Sequence, residues 1–332
     1  MIERAVSGEI AAYEKNSIPY ESLKSFQDLL ALRSQRARTL EEYGARVRLL
    51  GEHYSADPAT LSEKQVRDYF VFLIREKGLK PASIRQARAA LRLFFERVVR
   101  VEAWTVFDEI RTKDMRPLPK VLSRGEVSAV RGALRVQRFR VVLRLIYACG
   151  LRLGEAVALE VRDIDGAEGR VHIRDGKGGR QRFVPLPKSI LLELRAYWVT
   201  HRHPRWIFPA AGRGWRVNRR ATEAEQAAAL ATHQGKASEP MSVSSVQNAF
   251  RLALAASGVA KPASVHTLRH SYATHLLEEG VNLRAVSAYL GHANLEQTAV
   301  YLHLTEASEA RTHEALARML SATTTSTIPA RA

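Results

Sequence analysis

Cysteine is nearly absent from this chain. One residue, Cys149, among 332 excludes an internal disulfide and every multi-cysteine zinc site. No stretch approaches the roughly 18 uninterrupted apolar residues of a transmembrane helix. The segment Met1 to Lys15 carries Glu3, Glu9 and Glu14 and has no apolar core, so it does not read as a secretory signal. A cytoplasmic protein is the simplest expectation. Acidic charge is also in short supply: 34 Asp and Glu face 51 Lys and Arg, a net charge of +17. So basic a chain attracts polyanions, nucleic acid first and an anionic membrane surface second. What is present otherwise is ordinary for a globular protein, with 46% hydrophobic and 26% charged residues. At about 150 residues per domain the length suggests two domains, enough to bury a real core.

The positive charge is uneven. Residues 1–111 hold 19 Lys and Arg against 16 Asp and Glu, a net of +3; residues 112–332 hold 32 against 18, a net of +14. The change falls at Arg111-Thr-Lys-Asp-Met-Arg-Pro-Leu-Pro-Lys120. Pro117 and Pro119 bias this stretch toward an extended form, and it reads as an interdomain linker. Lys113, Arg116 and Lys120 would touch phosphates there, or simply keep the loop solvated.

Before the linker the pattern is helical. Thr39-x-x-Glu42 and Ser62-x-x-Gln65 are capping-box signatures, with Gly51 and Gly78 as expected stops. A further helix starts near Pro81, where Ile84, Ala87, Leu91, Phe95 and Val98 recur at helical spacing. Arg85, Arg88 and Arg92 form an adjacent basic stripe that would face a phosphate backbone, the alternative being an ordinary solvated face.

After the linker helices and strands mix. Ser123-x-x-Glu126 opens a helix, and a second, through Val141 to Ala148, should end at Gly150. Two β-rich runs flank Asp175-Gly-Lys-Gly-Gly179, a hairpin with Lys177 at its tip. Beyond Thr267 helices return: Gly280 ends one, Asn282 caps the next, and Asn294 caps one that would carry Tyr301. The piece Thr222 to Ala231 reads as a short helix, and Thr323 to Ala332 as a polar tail.

Arg152, Lys177, His266, Arg269, His292 and Tyr301 each have an ordinary explanation when taken singly. Together, Ala148-Cys-Gly-Leu-Arg-Leu-Gly-Glu155, the Gly176-Lys-Gly178 hairpin, His266-Thr-Leu-Arg-His-Ser-Tyr-Ala-Thr-His-Leu-Leu277, Leu290-Gly-His292 and Tyr301 resemble the tyrosine recombinases, which include phage and integron integrases and the Xer resolvases. Spacing matches as well as identity: Arg269 and His292 are 23 positions apart, and His292 and Tyr301 are 9 positions apart. The resemblance spans roughly residues 20–310, more loosely before 115.

The resemblance implies a mainly α fold with a small antiparallel sheet. Residues 1–17 would be an extension, 18–111 a helical, SAM-like DNA-binding domain, 112–120 a linker, 121–312 a mixed α/β catalytic domain and 313–332 a tail. It implies a site-specific DNA recombinase, of a mobile element or of the Xer type, working as a tetramer on DNA near the nucleoid. No cofactor and no metal are implied. A type IB topoisomerase-like enzyme and a DNA-binding protein without activity are the rivals. Tyr301 would be the nucleophile, forming a phosphotyrosine. Arg152 and Arg269 would hold the non-bridging oxygens through planar, permanently charged forks. Lys177 would protonate the 5′-oxygen, His266 would accept the tyrosine proton, and His292 would donate a hydrogen bond to the phosphate. Glu155 would support the site by pairing with its neighbours. His270 reads as structural, and Cys149 as a buried small hydrophobe. His266 and His270, four apart, would also suit two metal ligands, but no third ligand is evident. In the basic stretch around Trp215, Arg216, Arg219 and Arg220, the side chains would stack on bases and hold phosphates, or make backbone contacts alone.

Overall fold

Reciprocal side-chain caps set several helix starts. In the computed structural model, which describes residues 20–33, 37–111, 118–174, 181–212 and 222–302, Ser62 accepts from the Gln65 backbone while the Gln65 side chain accepts from the Ser62 backbone. Ser123 with Glu126 and Thr222 with Glu225 do the same. Each pair satisfies two amide groups that a helix leaves orphaned at its first turn. The chain divides into two compact units, Met1–Arg116 and Pro117–Ala332.

The first unit is helical: α1 (Glu21–Arg33), α2 (Ala37–Tyr54), α3 (Glu63–Arg75), α4 (Pro81–Phe94) and the short α5 (Val106–Glu109). Pro81 occupies the first turn of α4, where a missing N–H costs nothing. Helix α2 packs along α4. Phe26, Leu30, Leu50, Phe70, Leu91 and Phe94 fill the core, with Phe26 edge-on to Phe94 at 5.4 Å. Gly51 does not stop a helix; α2 runs on to Tyr54. Its role is close packing, because a Cβ there would lie 2.9 Å from the Tyr20 ring and 3.0 Å from Pro58.

The second unit has α6 (Arg124–Gly132), α7 (Gln137–Cys149) and α8 (Leu153–Val157), then strands β1 (Ile164–Asp165), β2 (Arg170–Ile173) and β3 (Arg182–Pro185). After them come α9 (Lys188–His201), α10 (Glu223–Gly235), α11 (Val243–Ala256), α12 (Val265–Glu278), α13 (Leu283–Leu290) and α14 (Glu296–Ala299). The sheet is antiparallel in the order β1-β2-β3, with Val171 opposite both Ile164 and Val184. The two strands of the expected hairpin are therefore paired, its turn lying outside the described residues, and the sheet is widened by a strand, β1, that its sequence pattern did not announce. The fold is mainly α with a small antiparallel sheet.

Helix α12 is largely buried from Val265 to His275, with His266 exposed and His270 half-buried, and packs against α7. Several of its buried polar residues find partners, while Thr274 Oγ1 has none among the described residues. Ser271 accepts from the Leu122 amide at 2.9 Å and donates to the Thr267 carbonyl, and His275 meets the Tyr147 hydroxyl at 2.8 Å. Cys149 is buried at the end of α7, and burial pushes its thiol up to about 12, so it packs as a small hydrophobe.

Candidate active site

Two helices end at glycines that no other residue could replace cheaply. Gly150, after α7, has φ +60°, and a Cβ there would sit 2.3 Å from the Tyr272 ring. The turn it makes releases the chain into Arg152, the N-cap of α8. Gly291, after α13, has φ +63°, and its Cβ would lie 2.9 Å from the Arg182 Cδ. The His292 amide donates back to the Ser287 carbonyl at 3.1 Å, the six-to-one bond of a left-handed helix stop.

The stop at Gly291 leaves three consecutive carbonyls without helical partners, and each is taken by a different arginine. Arg182 Nε donates to the Tyr289 oxygen at 2.7 Å, Arg269 Nη2 to Leu290 at 2.5 Å, and Arg152 Nη2 to Gly291 at 3.3 Å. Arg269 Nη1 also donates to the Gly150 carbonyl at 2.7 Å, so it ties the ends of α7 and α13 together. Helix C-termini carry partial negative charge, which favours cations here.

Glu155 supplies the counter-charge. Its Oε1 accepts from Arg152 Nη1 at 2.8 Å and Arg182 Nη1 at 3.0 Å. Its Oε2 accepts from the Arg152 amide at 2.9 Å and Arg182 Nη2 at 2.6 Å, and lies 4.0 Å from Arg269 Nη1. The side chain is 6% exposed. Burial pushes its carboxyl up, but hydrogen bonds from Arg182 and then Arg152 outweigh that and hold it below the usual range. Three guanidinium groups share one carboxylate, so the site keeps a net positive charge suited to an anion. Arg269 is 2% exposed. Burial and then Arg152 push its guanidinium down, and an arginine so placed stays charged at neutral pH.

Arg182 is the residue that sequence reasoning missed. It lies on the same face of β3 as the buried Val184. A charge at a core-facing strand position demands a buried partner, and that was the available signal.

The tyrosine side is built from α12 and the chain after α13. His266, Arg269 and His270 stand at i, i+3 and i+4, on one face of α12. Helix α14 stops at Ala299, so Tyr301 lies just beyond it rather than on the longer helix expected; its amide donates to the Thr298 carbonyl at 3.0 Å. Asn294 does not cap α14 from the N-cap position, which Leu295 holds, but its Oδ1 accepts from the Glu296 amide. Tyr301 is 3% exposed, packed with Tyr272, Ala273, Val286 and Leu290. Its hydroxyl lies 2.6 Å from His270 Nδ1. The histidine read as structural is thus the one bonded to the phenol, and His266 meets His270 edge to face, 4.5 Å between ring centres. This orientation does not converge the two imidazoles on a shared metal position. Among the described residues no cluster of three or more His, Cys, Asp or Glu suits a metal ion.

All three imidazoles are held neutral at neutral pH. Burial, then Arg269 and Arg152, pull His266 down. Burial, then His266 and Arg269, take His270 to about 4; burial, then Arg269 and Arg152, take His292 to about 4. His292 Nδ1 is 2.8 Å from Thr298 Oγ1, and its ring lies nearly parallel to Tyr301, 6.5 Å away. Burial pushes the Tyr301 phenol up, with Arg269 opposing.

Lys177, Lys113, Arg116, Trp215, Arg216, Arg219 and Arg220 lie outside the described residues. The segment with Lys177 is bracketed by two anchored arginines. Arg182 is held as above, and Arg174 pairs with Asp163 at 2.6 Å and Glu160 at 2.9 Å. Lys120 is exposed. Arg85, Arg88 and Arg92 lie on α4. Arg88 donates to the Ile110 carbonyl, and Arg92 pairs with Glu96 at 2.6 Å and Asp108 at 3.0 Å, so these two are tethered within their own unit.

Residues 121–308 match the model of the phage integrase family, and residues 23–104 that of the phage integrase N-terminal SAM-like domain. Tyrosine recombinase XerC of Proteus mirabilis is 38% identical over 236 residues, 68% of this chain and 69% of its own length. An integrase/recombinase of Escherichia coli is 30% identical over 276 residues, 76% of this chain and 80% of its own. Among solved structures, a lambda integrase (75-356) dimer bound to a COC' core site aligns with a TM-score of 0.64 at 19% identity, over 85% of this chain and 94% of that one.

Proposed function

The chain belongs to the phage integrase family, and from that premise we propose that it breaks and rejoins DNA at specific sites through a covalent phosphotyrosine on Tyr301. The observation that carries this reading is the placement of a buried tyrosine, hydrogen-bonded to a neutral imidazole, in one cluster with Arg269 and the arginines at the end of α13. Each guanidinium uses only part of its donor set on carbonyls and Glu155. The N–H groups that remain on Arg152 and Arg269 would hold the non-bridging oxygens of a phosphodiester and its phosphorane-like transition state.

Attack by the Tyr301 oxygen forms the O–P bond as the bond to the 5′-oxygen breaks, and Lys177 supplies that oxygen's proton. With the Thr298 hydroxyl donating to His292 Nδ1 across their 2.8 Å contact, Nε2–H would donate to the phosphate. Arg182 and Glu155 act as positioning residues, because they fix Arg152 and the end of α13. The phosphotyrosine conserves the energy of the broken bond, so rejoining needs no nucleotide. Since Tyr301 is almost fully covered, engagement of DNA must uncover it.

Lambda integrase, whose fold this chain shares, has been solved as a tetramer bound to a Holliday junction. We extend that arrangement here: four copies on two duplex sites exchange strands in two rounds. The basic stretch at 200–245 favours a mobile element over chromosome-dimer resolution. The test uses nicked suicide duplexes built from inverted-repeat sites beside the encoding gene. Wild type should form a protein–DNA adduct and Tyr301→Phe should not; an adduct from the variant would remove the nucleophile assignment. Exchange between two sites on one plasmid separates recombination from topoisomerase action.

A further inference from the structure

His270 carries an inference that the spacing of the recombinase motif does not contain. We propose that His270, rather than His266, takes the phenolic proton of Tyr301 during strand cleavage. The proposal rests on Tyr301 being the nucleophile. The separation of 2.6 Å between His270 Nδ1 and Tyr301 Oη is that of a short, direct hydrogen bond. In a neutral imidazole one ring nitrogen accepts and the other donates. With the phenol taken as the donor in this pair, Nδ1 is the unprotonated nitrogen that receives the proton. No rearrangement of His270 is needed to begin the transfer.

The surroundings assign the two histidines different tasks. Burial and then Arg269 and Arg152 act on His266, which meets His270 ring edge to ring face. His270 itself is held in place, because α12 is largely buried and its neighbour Arg269 is tied to carbonyls of two other helix ends. The charged and titratable groups that act on His270 are His266 and Arg269 from its own helix and His292 from the end of α13. None is acidic. Among the described residues no acidic group acts on this imidazole, and the proton stays on the phenol. A bound phosphodiester brings the missing negative charge. Substrate binding and base strength are thereby coupled.

The step balances as follows. The Tyr301 O–H bond breaks and its proton moves to His270 Nδ1. The freed oxygen pair forms the O–P bond. The P–O5′ bond breaks, and the 5′-oxygen takes its proton from Lys177. Rejoining runs the same transfers in reverse, with His270 returning its proton to the phenolate.

The experiment measures single-turnover adduct formation by the full-length protein on a nicked suicide duplex, beside gel-shift affinity. His270→Asn places an amide oxygen near the Nδ1 position, so it keeps an acceptor for the phenol but cannot take up the proton. His270→Ala opens a space for imidazole added to the buffer. Both variants should bind DNA within about threefold of wild type and form adduct at least about 100-fold more slowly. Added imidazole should restore His270→Ala about tenfold or more, with faster rates from more basic imidazoles, which a purely structural role would not produce. If His270→Ala misfolds, His270→Asn alone decides. Adduct formation by His270→Asn within about threefold of wild type overturns the proposal, as does loss of activity in His266→Asn with no imidazole rescue of His270→Ala. Tyr301→Phe is the parallel control. An adduct from that variant removes the nucleophile assignment itself; its absence beside a fully active His270→Asn removes only the inference about His270.

Discussion

Arg269 is the most deeply buried cation of the site, and its two terminal nitrogens reach carbonyls on two different helix ends. A lysine offers donors from a single point and cannot bridge both carbonyls while facing a phosphate. Arg269→Lys should therefore keep DNA binding in a gel shift while adduct formation falls about 100- to 1,000-fold. Equal loss of both would move its contribution from the transition state to binding. The histidines lead to a stability prediction. His270 and His292 lie near 4 when folded, against 6.5 ordinarily, and buried His201 behaves the same way. Unfolded imidazoles take up protons as pH falls through 6.5, and folded ones do not until about 4. Their contribution is complete above 6.5 and is lost progressively between 6.5 and 4. Thermal melts at pH 7.5, 6 and 5 should show a falling Tm, and His292→Gln should flatten the trend; a flat wild-type profile would contradict it. At this scale spacing marked Arg152, His266, Arg269, His292 and Tyr301 as one group, and the structure brings them into one cluster. Arg182 and His270 were opaque because their roles depend on contacts 27 and 31 residues distant, with Glu155 and Tyr301.

Helix ends, more than helix bodies, build this site. The C-terminus of α13 gathers three arginines, and the C-terminus of α7 gives Arg269 its second anchor. Both ends depend on a left-handed glycine. Gly291→Ala should cost about 1–2 kcal/mol in chemical denaturation from backbone strain. It should also slow adduct formation, because its Cβ crowds Arg182. Gly150→Ala meets the Tyr272 ring instead of a flexible side chain, so about 3 kcal/mol or more is expected, with poor recovery of folded protein. If both variants melted like wild type, the account of these turns would fail. Capping pairs made the starts of α3 and α6 legible. Gly51 misled because a glycine required by tight packing looks, in sequence, like one required by a turn. Tyr301 fell outside its expected helix because α14 closes after a single turn.

At the scale of the molecule, the surplus of +17 becomes informative through its distribution, +3 over residues 1–111 and +14 over residues 112–332. Most of the excess shares a unit with the arginine cluster. Within the first unit Arg88 and Arg92 are paired with acids or carbonyls, which tempers its basic stripe. DNA binding should therefore weaken steeply with salt, with a log–log slope steeper than about −3 if several phosphates are neutralised at about −0.9 each. Arg152→Ala should reduce that slope by about one contact, whereas a slope near zero for wild type would contradict an electrostatic footprint. The division into two units had a compositional trace in the charge change and the prolines near 117. The function had its trace in residues 148–301, where motif and spacing coincide. The most direct test of the central claim is peptide mapping by mass spectrometry of the adduct trapped on a nicked duplex. A nucleotide-bearing phosphotyrosine at Tyr301 is the predicted result; DNA attached to any other residue would contradict it.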